Sequence, residues 1–178
     1  MIHIRDASDG DLKSILSIYS YYVRETAISF DLEIPDIDDL KREMHDIRSR
    51  YPYFVAEDDG TVIGFAYAHR FREKSGFNWD VELTVYLSHN RRGEGIGTLL
   101  YGKLIEALKP LEYRNAYVSI TGDNEQSLIM HGKFGFRKVC TLENTAYKMG
   151  IWHDLVIMSK QLCPYDDVPS APIPYRTR

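Results

Sequence analysis

The sequence predicts a single α/β domain in which one β-sheet carries helices on its faces. Three observations predict it. β-rich runs and amphipathic helical runs alternate along the chain. The 178 residues are 44% hydrophobic and 27% charged, the profile of one folded domain with a real core. No internal repeat or linker divides the chain before a proline-rich end, and the mixed order of elements excludes a closed all-β barrel.

The elements follow in order. Ile2, His3, Ile4 and Arg5 alternate as a strand does, and Asp9-Gly10-Asp11 offers caps to a helix with apolar positions Leu12, Ile15, Leu16, Ile18, Tyr19, Tyr22 and Val23. Residues 26–35 break the period, after which Ile37, Leu40, Met44 and Ile47 mark a second helix with charges between them. Residues 53–56 and 62–67 are β-rich, and Asp58-Asp59-Gly60 between them is a hairpin signal. In residues 79–87, Trp79, Val81, Leu83, Val85 and Leu87 alternate with Asp80, Glu82, Thr84 and Tyr86, which puts Glu82 on the more polar face. Beyond a glycine-rich turn, Ile96, Leu99, Leu100, Leu104, Ile105 and Leu108 have helical spacing, and Pro110 helps to stop that helix. Residues 115–120 are strand-like. Asn124 can cap a short helix carrying Leu128 and Ile129, ending near Phe134-Gly135-Phe136. Residues 139–142 and 153–158 complete the sheet, giving the order β-α-α-β-β-β-α-β-α-β-β. Residues 1–162 are the domain. Residues 163–178, with Pro164, Pro169, Pro172 and Pro174, form an extended tail that can still pack on it.

Composition narrows the partners. Lys and Arg number 22 against 26 Asp and Glu, a formal charge of −4 that argues against a nucleic-acid footprint and for a small-molecule partner. No apolar run approaches the ~20 residues of a membrane span. The opening six residues lack the regions of a signal peptide, so the chain is expected in the cytoplasm and not in a membrane. Cys140 and Cys163 make no disulfide framework, and Cys140 reads as a small buried hydrophobe. The histidines at 3, 45, 69, 89, 131 and 153 form no HExxH or short His/Cys pairing, so no metal is expected. No G-x-S-x-G elbow is present.

The turn Arg91-Arg92-Gly93-Glu94-Gly95-Ile96-Gly97-Thr98 stands between a strand and a strong helix, where free N–H groups and the helix dipole favour an anion. Such turns also occur for packing alone, and the turn by itself leaves both readings open. Two nucleotide motifs fail on it. A G-x-G-x-x-G run needs glycine where Thr98 or Leu100 stands, and a P-loop needs a lysine where Gly97-Thr98-Leu99 has none.

What remains, Arg92-x-x-Gly95-x-Gly97, resembles the acetyl-CoA loop of the GNAT acetyltransferases. The likeness extends to residues 79–87 before the loop, to Asn124-Glu125-Gln126-Ser127, and to residues 147–154 (YKMGIWHD). Together, in this order and spacing over residues 1–162, they resemble the phosphinothricin and methionine sulfoximine N-acetyltransferase branch. The resemblance implies a mixed, mostly antiparallel central sheet with helices on both faces. It implies an enzyme that moves the acetyl group of acetyl-CoA to the amino group of a small amino-acid-like substrate, with no metal. It also implies a homodimer, to which Tyr147 and Trp152 would contribute, though aromatics equally fill cores.

Site residues follow from the same resemblance. The main chain of Val85, Tyr86 and Leu87 would lie beside the acetyl and pantetheine portion and lend N–H groups to the thioester oxygen. Gly93, Glu94, Gly95, Ile96, Gly97 and Thr98 would wrap the pyrophosphate, with Arg92 adding positive charge. Glu82 would be the general base, working through water; apart from the motif it reads as a solvated polar-face glutamate. His131 would give a proton to the departing thiolate, or else be a satisfied structural histidine. Asn124 and Ser127 would touch pantetheine, while Asn124 also suits an N-cap. Lys133 would meet a phosphate, or be an ordinary exposed lysine. Arg72, Glu73 and Lys74 with Glu82 would form the amino-acid subsite, the cations suiting a carboxylate, and residues 26–30 ending at Phe30 would be its wall. Relatives often carry prolines between these basic residues, where Glu73 and Ser75 stand here. Two other functions stay open: acetylation of a peptide N-terminus, polyamine or other amine, and a non-catalytic acyl-CoA sensor.

Overall fold

The computed structural model describes residues 1–176, so the last two residues of the expected tail lie outside the described residues. The elements are β1 (Ile2–Asp6), α1 (Leu12–Glu25), α2 (Ile37–Arg48), β2 (Tyr53–Asp58), β3 (Thr61–Arg70), β4 (Asp80–Leu87), α3 (Ile96–Leu108), β5 (Asn115–Thr121), α4 (Glu125–Lys133), β6 (Arg137–Lys148) and β7 (Ile151–Gln161). Their order is the one the hydrophobic periods predict. Asp59 and Gly60 both take positive φ (47° and 79°), the conformation that a two-residue hairpin between β2 and β3 requires.

β6 and β7 are longer than expected, at 12 and 11 residues against the predicted 139–142 and 153–158. A register shift between Leu142 and Ala146, with Asn144 at φ 49°, interrupts the alternation on which the shorter reading rested.

All seven strands join one sheet in the order β1-β2-β3-β4-β5-β7-β6. Every pairing is antiparallel except β4 with β5. Neighbouring residues of a strand face opposite sides, so Ala56 and Val55 belong to different cores. On one face Ala56, Ala66, Val81, Leu83 and Val118 pack against Ile96, Leu100, Leu104 and Leu108 of α3. On the other, Val55 and Phe65 pack against Ile15 and Ile18 of α1 and Met44 and Ile47 of α2.

The parallel pair is short. Only Asp80, Val81 and Glu82 of β4 register with Asn115, Ala116 and Tyr117 of β5. From there β4 stays with β3, Leu83 to Leu87 opposite Ala68 to Gly64, while β5 stays with β7 through Thr121 opposite Leu155. A wedge opens between the two strands in the middle of the sheet.

Residues 163–176 form no regular element and run along the domain surface. Asp166 accepts from Arg114 at 2.6 Å, Ser170 C=O from Trp79 Nε1 at 2.7 Å, and Tyr175 N–H donates to Arg50 C=O at 2.9 Å. The Tyr175 ring meets Phe54 edge-on. No helix among the described residues is long and apolar enough to cross a membrane.

The entry into α1 is fixed by charge. Arg5 of β1 grips both oxygens of the buried Asp11 at 2.7 and 2.8 Å and reaches Glu57 of β2 at 2.7 Å, while Ser8 N–H donates to Asp11 at 2.7 Å. Burial alone would raise the Asp11 pKa, but the Arg5 and Ser8 hydrogen bonds outweigh it and hold the carboxyl below its ordinary value. A carboxyl depressed in the folded state contributes stability that is present above its unfolded pKa and lost as pH falls through the folded one. Asp11→Asn should therefore cost about 2 kcal/mol at pH 7, a charge-assisted hydrogen-bond magnitude. In urea titrations that difference should shrink as pH falls below about 4, the ordinary Asp pKa; a difference constant from pH 7 to pH 2 contradicts the assignment.

Candidate active site

The wedge encloses a cavity of about 80 Å³. One wall is residues 83–86 of β4, the other residues 118–121 of β5, and Asn124, Ser127 and His131 of the α4 region close it. Ser88 N–H bonds Ile63 C=O of the loop side of β3 at 2.8 Å. Residues of a strand alternate in the edge to which they point their amides, so Leu83, Val85 and Leu87 aim theirs away from β3, into the wedge. Leu87 C=O accordingly accepts the Tyr22 hydroxyl of α1 at 2.6 Å, which anchors the end of β4.

Glu82 stands at the closed end of the wedge, the last β4 residue in register with β5. It is half-buried, and its Oε1 accepts the Ser119 hydroxyl at 2.6 Å. Ser119 was not singled out in the sequence, because only the parallel register places it beside a residue 37 positions away.

His131 is 3% exposed, with its ring edge-on to Tyr101 and Phe136. Its Nδ1 lies 2.8 Å from Ser127 C=O, an acceptor, so Nδ1 carries the hydrogen and Nε2 keeps a lone pair when the ring is neutral. Burial lowers its pKa, against the opposing effect of the hydrogen bond it donates to Ser127 C=O. The structure thus brings His131 to the cavity as a neutral, packed ring.

A groove of about 340 Å³ leads from the wedge to the start of α3. Val85, Tyr86, Leu87, Arg92, Gly93, Gly95, Gly97, Thr98, Asn124 and Ser127 all line it, and so do Tyr22, Gln126 and Met130. Gly93 and Gly95 have φ of 82° and 79°, which side chains rarely adopt, and they turn the loop so that α3 begins at Ile96 with its first N–H groups at the groove. Those N–H groups have no partner within the helix and carry the positive end of its dipole, a fit for phosphate oxygens. Arg92 is exposed at the rim, its guanidinium 5.1 Å from the Tyr22 ring centre.

Three expected groove residues take other places. Ile96 is fully buried in the core and offers only its main chain. Glu94 is turned onto Arg91, which holds its carboxylate below the usual range. Lys133 is exposed in the last turn of α4 and is not among the residues lining the groove. Asn124 does cap α4, accepting from Ser127 N–H at 3.3 Å, and faces the groove as well.

On the α1 side a third space of about 230 Å³ meets the wedge at Thr84, Tyr86, Ser119 and Thr121. Its outer wall is the loop of residues 26–31, including Phe30. That loop is held from the far half of the sheet: Thr121 Oγ1 donates to Ala27 C=O and Lys148 Nζ to Ser29 C=O, each at 2.6 Å. Burial lowers the Lys148 pKa. Tyr19, Asp31 and Tyr67 also line this space and were not picked from the sequence, since they read as part of a helix, a loop and a strand pattern respectively.

Arg72, Glu73 and Lys74 are exposed and line none of the three spaces. Of the three, only Arg72 is linked toward Glu82, through a stack: it lies 4.5 Å over Phe71, and Phe71 stacks at 4.1 Å on Tyr117, the register partner of Glu82. Among the described residues no group of three or more His, Cys, Asp or Glu is placed to hold a metal ion.

Known proteins share this arrangement. The Acetyltransferase (GNAT) domain family matches residues 4–157. The chain is 31% identical to a phosphinothricin N-acetyltransferase of Streptomyces viridochromogenes, over 98% of this chain and 93% of that protein. It is 32% identical to an L-methionine sulfoximine/L-methionine sulfone acetyltransferase of Pseudomonas aeruginosa, over 93% and 98%. A crystal structure of a phosphinothricin acetyltransferase from Sinorhizobium meliloti in complex with AcCoA superposes with a TM-score of 0.88 at 33% identity, covering 90% of this chain and 88% of that one. The open strand pair, the glycine-led helix and these likenesses agree: the chain belongs to the GNAT acetyltransferase family.

Proposed function

We propose that this enzyme transfers the acetyl group of acetyl-CoA to the α-amino group of a small amino acid analogue of the methionine sulfoximine, methionine sulfone or phosphinothricin type. One observation carries the reading: a strand edge with free amides, a carboxylate at the closed end of the wedge and a helix N-terminus at the open end lie along one continuous path. The named substrates of the relatives support the amine class.

The chemistry follows from that path. The pyrophosphate sits on the α3 N-terminus, and the thioester reaches the wedge with its carbonyl oxygen toward the Val85 and Leu87 amides. A neutral amine, entering from the 230 Å³ side, attacks the carbonyl carbon. The developing oxyanion is met by donors already in place. Glu82, steadied by Ser119, takes the amine proton through water, the C–S bond breaks, and the thiolate of CoA takes up a proton. His131, neutral at rest, serves this last step once a proton has reached Nε2. Arg72 and Lys74 bind the substrate carboxylate from the rim.

The β6–β7 hairpin leaves Tyr147, Met149, Ile151 and Trp152 more than half exposed near its turn, and Val139 and Leu142 are exposed farther along β6. An apolar face of this extent suits a second copy, so the reading includes a homodimer, working in the cytoplasm.

Three outcomes test the proposal. Glu82→Gln should lower kcat on the best amine about a hundredfold, the usual worth of a general base, with CoA affinity unchanged; full kcat refutes the base. Arg72→Ala with Lys74→Ala should raise KM about tenfold for an amino acid, and leave the decarboxylated amine unaffected, as loss of a charge-assisted carboxylate contact requires. An equal rise for both refutes carboxylate recognition. Sedimentation equilibrium should give twice the chain mass for the wild type and the single-chain mass for Trp152→Asp; a monomeric wild type removes the dimer.

A further inference from the structure

As a general base, Glu82 needs an intermediary. It is not among the residues lining the wedge, the groove or the 230 Å³ space, so its carboxyl stands back from the place where a bound amine presents its hydrogens. Ser119 lines both the wedge and the 230 Å³ space, and its hydroxyl donates to Glu82 Oε1 at 2.6 Å. The sheet explains this placing. Glu82 registers with Tyr117, and Ser119 follows two residues later on the same face, the first such residue of β5 beyond the paired stretch. Its side chain leans back on Glu82 while its strand opens away from β4.

The other hydroxyl residues of the wedge are Thr84, Tyr86, Thr121 and Ser127, and each is engaged elsewhere. Thr121 donates to Ala27 C=O at 2.6 Å, and Ser127 Oγ lies 3.2 Å from His131 Nδ1. The Thr84 hydroxyl meets that of Tyr67, and the Tyr86 hydroxyl that of Ser29. Tyr19, which donates to Asp31, lines the 230 Å³ space but not the wedge. Among the described residues, Ser119 is therefore the one hydroxyl of the wedge in hydrogen-bond contact with a carboxylate. A hydroxyl has a hydrogen to give and lone pairs to accept another, which a carboxylate's partner in proton transfer requires.

We propose that the Ser119 hydroxyl carries the amine proton to Glu82, in the place where the general-base reading has a water. As the C–N bond forms, the nitrogen becomes positive; its N–H breaks toward Ser119 Oγ while the Oγ–H breaks toward Glu82 Oε1. One proton passes from nitrogen to carboxylate, the serine ends as it began, and no acyl-serine forms. Glu82, half-buried, returns its proton to solvent. The inference rests on the acetyltransferase reading with Glu82 as base, and names the atom through which that base acts.

The test is steady-state kinetics of Ser119→Ala, Ser119→Thr, Ser119→Asn and the double variant Glu82→Gln with Ser119→Ala, with the CoA Kd of each as the check on its fold. Ser119→Ala should lower kcat about a hundredfold, as loss of the base does, with the CoA Kd unchanged. Ser119→Thr, which keeps the hydroxyl on a side chain suited to a strand, should recover most of kcat. The double variant should be no slower than Glu82→Gln alone, because members of one relay fail as a unit. Near-wild-type kcat in Ser119→Ala returns a water to the path and overturns the relay, as do multiplied losses in the double variant or a Ser119→Thr as slow as Ser119→Ala. Recovery by Ser119→Asn, whose amide can donate to Glu82 but cannot pass a proton on, makes Ser119 a mere prop for the carboxylate and overturns it too. A wild type that turns over no amine refutes the acetyltransferase reading, and full kcat in Glu82→Gln refutes the base; either is seen before the Ser119 variants are compared, and the relay falls with it.

Discussion

The separation of β4 from β5 is the constraint on which the rest of this molecule depends. A parallel pair normally continues as long as both strands do, because each further residue satisfies amides at little extra cost in order. Here the pair stops after three residues, and each strand is kept extended by its other neighbour, β3 for β4 and β7 for β5. The amides freed along β4 are neither paired nor out in bulk solvent. They face a small enclosed space, which is the condition under which a hydrogen-bond donor is worth most to a charge that develops late. The Tyr22 hydroxyl on Leu87 C=O and the capped α4 on the other side hold the wedge open from both flanks.

Much of this is legible in the sequence, for stated reasons. The eleven regular elements follow from apolar periods, and the turn at Asp59-Gly60 from the residues that tolerate positive φ. Glu82 falls on the polar face of its strand because alternation leaves no choice. The glycine-led start of α3 is readable since Gly93, Gly95 and Gly97 sit between a strand and a helix. Long-range partners are not readable in this way. Ser119 reaches Glu82, Lys148 reaches Ser29, and Thr121 reaches Ala27 across 37, 119 and 94 residues, contacts that exist only once the sheet order is known.

The 230 Å³ space beside the wedge is also where the two halves of the chain are stitched together. The loop of residues 26–31 belongs to the N-terminal half, yet its carbonyls are held by side chains of β5 and β6. A buried ammonium on a carbonyl is a stiff tether, because leaving either group unmet in that setting is expensive. The outer wall of the 230 Å³ space is therefore held by Thr121 of β5 and by the β6–β7 hairpin, whose outer face is apolar and open.

The path of residues 163–176 carries one more consequence. Tyr175 rests on Phe54 and its hydroxyl reaches Asp6 at 3.1 Å, which sets this part of the chain against the Asp6 end of the first strand. That edge is separated from the wedge by β2 and β3. Met1 bonds Asp58 at the other end of that strand, so β1, at the sheet edge, is held at both of its ends. An edge strand pinned in this way resists peeling from β2 and is less open to pairing with the edge of another sheet.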